Sequence, residues 1–487
     1  MANNPVIWAD YPDVDIIRHG ETYYMISTTM HFFPGGVILR SRDLVHWETA
    51  CHVYDILDST PARRMEEGWM YSQGMWAASL RYHDGLFHAV FSANDTHTTY
   101  HYTAESVEGT WTRRPMKGFY HDNSILFDDD GKTYIVYGNR EIRLTELRSD
   151  LSEPLPGGLD RVIVRDTPPG LGYEGSHIYK IGGRYYLFLI HWPAGHMRTE
   201  AVFSSDSLTG EWTGGDVLED DMGFFRQGVA QGGIVDTPDG DWYAMLFQDH
   251  GAVGRIPVLV PVCWEDGFPK LETPPHEIHP LPERESLPCR PLFSGDDFSD
   301  PVLSDVWEWN HEPDLSLVSW GAGELRIRTG KLSPDAEHCR NTLTQRTFGP
   351  GCSAEVTVKG EDLKNGDRAG FVALQGLFAE GALEREDDRY FAVLREKTDK
   401  GFSETDRIPL EGPSVRLRMS FDFRDLRDTV RFAVETADGW KDLGGPHKLV
   451  YRLDHFTGVR VGLFCASTRE AGGSAGFSAF RYAVDGE

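Results

Sequence analysis

The sequence predicts an all-β protein in which a five-bladed β-propeller is followed by a β-sandwich. Three observations support this fold class. A hairpin pattern with a turn glycine recurs five times in the first half, and a stretch rich in Pro and charge follows it. The second half alternates apolar and polar residues over strand-length segments and carries no long helical stripe.

Each copy of the repeat has alternating apolar residues, a tight glycine turn and a second, aromatic-rich strand, which is typical of a β-hairpin. The copies begin at Val14, Ala78, Ser124, Ser176 and Gly233, and their turn glycines are Gly20, Gly85, Gly131, Gly183 and Gly240. Three copies are followed by a short polar turn that ends in Trp47, Trp111 or Trp212. Hairpin and turn together suggest about four strands, the size of one propeller blade. Five matched copies favour a propeller over an irregular β-sandwich.

Composition and hydrophobic periodicity change along the chain, and these changes predict two domains and a linker. Residues 1–270 form the predicted propeller, 271–293 the linker and 294–487 the sandwich. The linker prediction rests on the many Pro and charged residues in that stretch and on its lack of periodicity.

Net charge limits the classes of partner. The chain has 48 Lys and Arg against 76 Asp and Glu, a formal net charge of -28. A surface this negative repels phosphate backbones and anionic lipids, so we expect neither nucleic acid nor a membrane as a partner. A small neutral oligosaccharide meets no such barrier. The oligomeric state is left open, and a homo-oligomer is compatible with the sequence.

Neither the cysteines nor the first residues indicate a special compartment or metal. The six cysteines form no CxxC pair or other tight metal spacing, so no metal site is predicted from them. The first residues, MANNPVIWADYPD, lack the basic segment and apolar run of a signal peptide. A cytoplasmic location is therefore expected, and a secreted protein whose signal had been removed would give the same sequence.

Carboxylates stand at the entry of three predicted hairpins. Asp13 lies in YPDVD, Asp122 in HDNS and Glu174 in GYEGSH. The first strand of each blade lines the central channel, so these side chains are expected to converge at one mouth of it. Taken singly, each acid is more typical of a turn. Asp15 shares a strand face with Asp13, so spacing alone does not separate these two.

A set of three carboxylates is what glycoside cleavage requires. One carboxylic acid protonates the leaving oxygen, and one carboxylate activates water or attacks carbon. A third can hold the acid in place and, by like-charge repulsion, favour its protonated form. A carbohydrate-binding propeller without turnover is the alternative from another functional class, and the presence of all three acids argues against it.

These segments resemble glycoside hydrolase family 43. The resemblance rests on NPVIWADYPDVDIIRHGETYYM, SRDLVHW, HDNSILFDDDG and GYEGSHIYK, and it extends to the second half, including RNTLTQR from Arg340. It implies a propeller with a jelly-roll, concanavalin-like sandwich that closes one side of the pocket. It also implies Asp13 as general base, Glu174 as general acid, and Asp122 as the residue that positions the acid and modulates its pKa.

The same resemblance suggests residues for the sugar-binding surface. The candidates are His31, Phe33, Trp76, His250 and Arg255. Core packing is an equal or better explanation for the aromatic ones. No organic cofactor is required, and no metal ligands are assigned. A structural calcium ion is compatible with the family, although Gln231 stands where many members have a histidine near the channel.

The resemblance implies an inverting exo-glycosidase that removes terminal β-D-xylose, α-L-arabinofuranose, or both from xylo- and arabino-oligosaccharides. Inversion implies that base and acid stand about 6.5–9.5 Å apart, with a water molecule between them. A strict α-L-arabinofuranosidase and an endo-xylanase are the alternatives within the enzyme class.

Overall fold

The computed structural model describes residues 2–166, 169–281 and 289–486, and these residues are organised almost entirely in β-strands. No α-helix occurs in these three ranges, nor any helix of the length and apolarity that crossing a bilayer would require. The helical residues form 3-10 turns at Gly251–Val253, Leu315–Leu317, Ala336–His338 and Arg424–Leu426.

Five four-stranded antiparallel sheets make up the first half, which confirms the predicted propeller. Strand β1 (Ala2–Asn3) precedes them, and β4 (Phe32–Phe33) lies between two strands of the first blade. Blade one contains β2 (Asp15–His19), β3 (Thr22–Ser27), β5 (Gly35–Ser41) and β6 (Trp47–Tyr54). Blade two contains β7 (Met75–His83), β8 (Leu86–Ala93), β9 (Thr98–Ala104) and β10 (Thr112–Arg114). Blade three contains β11 (Ser124–Phe127), β12 (Thr133–Tyr137), β13 (Glu141–Leu147) and β14 (Asp160–Arg165).

The last two blades follow the same order. Blade four contains β15 (Gly170–Ile181), β16 (Arg184–Pro193), β17 (Thr199–Ser205) and β18 (Thr213–Leu218). Blade five contains β19 (Ala230–Asp236), β20 (Trp242–Asp249), β21 (Arg255–Glu265) and β22 (Phe268–Leu271). All five predicted turn glycines connect the first two strands of their blades, and each has a positive φ between 60° and 93°.

The three repeated tryptophans have a common place in their blades. Trp47 begins the fourth strand of blade one, and Trp111 and Trp212 directly precede the fourth strands of blades two and four. In the first two, the indole N–H donates to a carbonyl at the start of the same turn, Leu44 O and Val107 O, at 2.9 Å. The tryptophan therefore closes the turn that leads into the outer strand.

The start of the chain returns to the end of the propeller. β1 pairs antiparallel with β23 (Glu277–Ile278), so part of the predicted linker 271–293 forms a short ribbon. Residues 282–288 of that predicted linker lie outside the described residues. The domain boundaries therefore stay a prediction.

A network of polar side chains crosses the channel between the first strands. Asp15 is fully buried and accepts hydrogen bonds from the Leu80 backbone N–H at 2.7 Å and from Arg81 at 2.5 Å. It also lies 3.0 Å from Nδ1 of His177. Arg81 in turn donates to Ser124 Oγ. Asp15 is thus engaged in joining blades, which separates its role from that of Asp13.

Two large sheets form the second half, as predicted for a sandwich. The order along the eight-stranded sheet is β32-β31-β30-β29-β36-β27-β24-β4. Its strands are β24 (Glu308–Asn310), β27 (Leu343–Arg346), β29 (Asp367–Leu374), β30 (Ala379–Glu386), β31 (Arg389–Thr398), β32 (Gly401–Leu410) and β36 (Arg460–Ser467), with β4. The seven-stranded sheet has the order β25-β26-β37-β28-β33-β34-β35. It consists of β25 (Val318–Gly321), β26 (Glu324–Arg328), β28 (Gly351–Lys359), β33 (Ser414–Asp422), β34 (Thr429–Thr436), β35 (Gly439–Lys448) and β37 (Ser474–Val484).

The sandwich is joined to the propeller by backbone pairing and by buried charge. Strand β4 belongs to the propeller by sequence, yet it pairs with β24 and extends a sandwich sheet. Beside it, Glu308 is fully buried and lies 3.3 Å from Nε2 of His52 in the first blade. Glu308 also pairs with Arg346 at 2.7 Å, and Nε of Arg346 donates to the Asp10 carbonyl at 2.9 Å. These contacts fix the sandwich against the mouth of the channel where the first blade begins.

Candidate active site

Asp13 stands two residues before β2 and is held by an arginine from the fifth blade. Its φ of 53° lies in the left-handed region, which aspartate tolerates better than most residues. Nη1 of Arg255 donates to Oδ1 of Asp13 at 2.7 Å. Burial raises the pKa of Asp13, and the positive charge of Arg255 opposes that rise. The predicted contact residue Arg255 is thus brought to the predicted base.

Arg255 itself is buried between rings from both domains. Its guanidinium lies 5.3 Å from the ring centroid of Phe247 in β20 and 4.5 Å from that of Phe456 in the sandwich. The backbone N–H of Arg255 donates to Oδ1 of Asp10, and Oδ2 of Asp10 accepts from the Gly458 N–H. The sandwich therefore contributes directly to the surroundings of Asp13.

Asp122 stands two residues before β11 and also has a left-handed backbone, with a φ of 46°. Its backbone carbonyl accepts from the Ser176 N–H at 3.2 Å, which ties it to the strand that carries Glu174. Burial raises the pKa of Asp122 to about 7, and the negative charges of Glu174 and Asp13 contribute to the rise. The charges of these three acids, which come from three blades, therefore influence one another, as expected if they converge at one mouth of the channel.

Glu174 does not open its strand, contrary to the predicted position. β15 begins at Gly170, because Gly170 and Leu171 pair with the extended end of β16 at Pro193 and Trp192. The pairing register shifts on both sides of Glu174. The Asn139 side-chain amide donates to its Oε2, and His121 Nε2 lies 3.3 Å from the same oxygen.

His121 is a central member of the site. Its Nε2 is also 3.6 Å from Oδ2 of Asp122. Burial opposes a charged imidazole, but the charges of Asp122 and Glu174 raise the pKa of His121 to about 9. The half-buried ring of Trp76 meets His121 edge to face, with centroids 5.2 Å apart. The predicted residue Trp76 thus lies beside the acids and packs against His121.

The structure places Phe33 and His31 away from any sugar-accessible surface. Phe33 is 1% exposed and packs in the core of the first two blades, where it contacts Tyr54. His31 is fully buried, and its ring contacts Tyr71 and His311 at the junction with the sandwich. Because β4 pairs with a strand of the sandwich sheet, neither ring has a free face for a sugar. The structure therefore does not support the predicted sugar contacts of His31 and Phe33.

His250 lies close to the fifth-blade side of the site, but it is buried. Its ring stacks on Phe224 with centroids 3.8 Å apart, and Nε2 lies 2.7 Å from Oε1 of Gln248. Burial lowers the pKa of His250 to about 3, so the imidazole is neutral at ordinary pH. Its contacts support the loop that leads to Arg255.

Two clusters of the described residues bring three nitrogen and oxygen donors within 4.8 Å of one another. One cluster is His121, Asp122 and Glu174, and the other is Asp335, Glu337 and His338. Their donors already contact protein groups: Glu174 accepts from Asn139, and Glu337 pairs with Lys397. We therefore assign no metal ligand from these residues.

Several residues at the site had not been predicted from the sequence. His121 directly precedes Asp122, so adjacency was an available signal. Asn139 lies in an ordinary hairpin turn, and Phe456 comes from the other domain, so neither had a local signal. Arg198 also escaped prediction; it pairs with Asp249 at 2.7 Å, and its charge lowers the pKa of Asp13.

Comparison with known families agrees with this arrangement. The family model described as glycosyl hydrolases family 43 matches residues 2–269. The model described as the beta xylosidase C-terminal concanavalin A-like domain matches residues 295–483. The two matches cover the propeller and the sandwich respectively.

Two relatives align with most of this chain. A beta-xylosidase of Formosa agariphila is 27% identical, with 99% of this chain and 90% of that protein covered. A non-reducing end alpha-L-arabinofuranosidase of Bacteroides ovatus is 28% identical, with 76% of this chain and 73% of that protein covered.

Solved structures share the complete fold. A bifunctional GH43-CE protein of Bacteroides eggerthii has a TM-score of 0.93 and 39% identity, with 99% of this chain covered. This chain spans 63% of the length of that protein. An engineered GH43 enzyme that displays both endo-xylanase and exo-arabinofuranosidase activity has a TM-score of 0.87 and 28% identity, with 99% of each chain covered. The family 43 model covers more than half of the whole chain, and the chain therefore belongs to glycoside hydrolase family 43.

Proposed function

We propose that this chain is an inverting exo-glycosidase that releases terminal β-D-xylose or α-L-arabinofuranose from short xylo- and arabino-oligosaccharides. The observation that supports it most is the meeting of Asp13, Asp122 and Glu174 at one mouth of the propeller, each in a different environment. The sugar specificity is inferred from relatives named as a beta-xylosidase and an alpha-L-arabinofuranosidase.

Asp13 acts as the general base in this proposal. Arg255 binds its Oδ1, so Oδ2 is left to accept a proton from water as that water attacks the anomeric carbon. Burial raises the pKa of Asp13, which makes its carboxylate a stronger base than an exposed aspartate. Arg255 limits the rise, which favours the ionised carboxylate that a general base requires.

Glu174 acts as the general acid, and Asp122 holds it in place. The two carboxyl groups lie within 4.8 Å of each other, so a negative charge on one disfavours a charge on the other. Glu174 gives its proton to the glycosidic oxygen as the bond to the anomeric carbon breaks. The 6.5–9.5 Å spacing expected between the carboxyl groups of base and acid in inverting enzymes stays a prediction for Asp13 and Glu174.

The sandwich favours an exo-acting pocket over an open groove. Phe456 lies against Arg255, and the phenol of Tyr451 is close enough to interact electrostatically with the same guanidinium. Both residues come from the segment between β35 and β36, so the second domain forms one wall beside the base. A wall at this place limits the length of sugar chain that extends past Asp13.

The substrate proposed is small and neutral, and no organic cofactor takes part. Base, acid and positioning carboxylate all come from the chain itself. A neutral oligosaccharide avoids the repulsion that a protein of net charge -28 exerts on anionic polymers.

Hydrolysis of 4-nitrophenyl β-xyloside and 4-nitrophenyl α-arabinofuranoside tests the proposal. The wild type should cleave at least one of them. Asp13→Ala should lose about 10³-fold or more on every substrate, because no group replaces the base. Glu174→Ala should lose far less on a nitrophenyl glycoside than on xylobiose, because nitrophenolate leaves without protonation. An inactive wild type, or equal mild losses in both variants, would overturn the proposal.

Product analysis separates the remaining alternatives. An exo-xylosidase releases xylose from xylobiose and xylohexaose from the first minutes. An endo-xylanase would produce xylobiose and xylotriose from xylohexaose first. A strict arabinofuranosidase would release only arabinose from arabinoxylan and would leave xylohexaose intact.

A further inference from the structure

The two oxygens of the Glu174 carboxyl group have different surroundings. Oε2 accepts from the Asn139 side-chain amide and faces His121 Nε2 at 3.3 Å. Within ranges 2–166, 169–281 and 289–486, no protein group hydrogen bonds to Oε1. Both donors therefore approach the same oxygen, and the other oxygen is left for contact with a substrate.

The two donors are held by a common backbone connection. Asn139 lies in the turn between β12 and β13. The Gly138 N–H donates to the His121 carbonyl at 3.0 Å, and the Arg140 N–H donates to the Tyr173 carbonyl at 2.8 Å. The turn is thus bonded both to the residue that carries one donor and to the residue before Glu174.

Gly138 is required for this connection. Its φ is 130°, and a Cβ at this position would lie 2.2 Å from the backbone oxygen of Glu141. Only glycine lets the turn approach so closely. The imidazole of His121 is further fixed by the edge-to-face contact with Trp76. Donors that are placed before the substrate arrives need no rearrangement during the reaction.

We infer that His121 and Asn139 are positioning residues that occupy Oε2 of Glu174 and thereby make Oε1 the oxygen that carries and delivers the acidic proton. The inference rests on the proposed role of Glu174 as general acid. A carboxyl oxygen that accepts two N–H groups has no room to bear the proton itself, so the proton resides on the other oxygen.

The proton balance of the step follows from this assignment. As the bond between the anomeric carbon and the glycosidic oxygen breaks, the proton on Oε1 passes to that oxygen, and the electron pair of the O–H bond stays on the carboxylate. The two donors at Oε2 then meet the negative charge that appears. Water supplies hydroxide to the anomeric carbon and its proton to Asp13. These donors thus interact more strongly after proton transfer than before it, which lowers the barrier.

Four variants test the inference on two substrates. His121→Phe removes the donor and keeps a ring against Trp76, His121→Gln keeps a side-chain N–H, and Asn139→Ala removes the second donor. His83→Phe is the matched control, because His83 stacks on Phe127 at the other end of the first strands. Rates are measured on xylobiose, a poor leaving group, and on 4-nitrophenyl β-xyloside, a good one.

His121→Phe and Asn139→Ala should lower kcat/KM on xylobiose by about 10- to 100-fold and on the nitrophenyl glycoside by less than about 5-fold. His121→Gln should recover most of the loss, and His83→Phe should behave as wild type. Equal losses on both substrates, or no recovery by His121→Gln, would overturn the inference. If the wild type cleaves neither these xylosides nor 4-nitrophenyl α-arabinofuranoside, the proposed function has failed instead.

Discussion

The base and the positioning acid share a backbone conformation that few residues other than glycine adopt. Asp13 and Asp122 have φ values of 53° and 46°. Such a conformation costs about 1 kcal/mol and is common at functional sites, where surrounding structure holds it. Here it lies two residues before the first strand of a blade and directs the carboxylate to the mouth of the channel. Asp15, with ordinary strand geometry, enters the channel network instead.

The pairing of Arg255 with Asp13 predicts that removal of the arginine changes the pH dependence of kcat/KM. The positive charge of Arg255 lowers the pKa of Asp13, so its removal in Arg255→Met should raise that pKa further. The acidic limb of kcat/KM should move to higher pH by about one unit or more, with an overall loss of at least about 10-fold. Arg143→Met, which removes only a surface pair with Asp160, is the control. A loss of activity without any movement of the acidic limb would contradict the pairing.

The raised pKa of Asp122 also predicts a pH-dependent effect on stability. Its folded-state value of about 7 exceeds the ordinary 3.8, so its contribution to stability is fully present below about pH 4 and is lost as the pH rises toward 7. Asparagine has no such proton. Asp122→Asn should therefore gain free energy of unfolding relative to wild type between pH 4 and pH 8, by about 1 kcal/mol or more.

Urea unfolding at several pH values measures this difference. His121 acts in the same direction, because its pKa is raised to about 9 by the charges of Asp122 and Glu174. The variant should at the same time lose activity. A stability difference that is constant or falls with pH would contradict the buried, charge-coupled state of Asp122.

Two short elements pack one domain against the other near the site. β4 leaves the first blade and extends a sandwich sheet, which explains why Phe33 lies in the core. The segment that carries Phe456 returns from the sandwich and packs on Arg255. Phe33, predicted for the pocket, is thus buried, and Phe456, 201 positions beyond Arg255, packs on the arginine that binds the base.

Removal of the Phe456 ring should affect the site more than the fold. A cation–π contact of this kind contributes about 0.5–2 kcal/mol, so Phe456→Ala should lower kcat/KM by about 3- to 30-fold. Phe402→Ala, which removes a half-buried sandwich ring packed on Phe378, is the matched control for loss of stability. Equal effects of the two variants on activity would mean that Phe456 acts only through the stability of the sandwich.

The elements were more predictable than their assembly. The five hairpins and the strand-rich character of the second half follow from period-two alternation and turn glycines, because these depend on residues close in sequence. Asp13 and Asp122 could be placed because each stands two residues before a first strand, whereas Glu174 lies within β15 and not at its start as predicted. The contacts of His121, Asn139 and Phe456 with the site could not be predicted, since they depend on backbone bonds and packing between distant segments. Burial of His31 and Phe33 has the same cause.

Over the whole molecule, the proposed chemistry needs nothing beyond the chain and its substrate. Dialysis against EDTA should therefore leave kcat/KM on 4-nitrophenyl β-xyloside within about 2-fold of the untreated value. Gln231 donates its backbone N–H to Glu200 at 2.7 Å, which fits a channel built from protein contacts. A large loss that calcium restores would show that a structural calcium ion is needed after all.

The central claim, that a water molecule activated by Asp13 attacks while Glu174 protonates the opposite side, fixes the stereochemistry of the product. Proton NMR of the first sugar released from xylobiose measures it directly, because the two anomers interconvert slowly enough to be observed. The account predicts α-xylose from the cleaved β-linked residue as the first product. First appearance of β-xylose from that residue would contradict it.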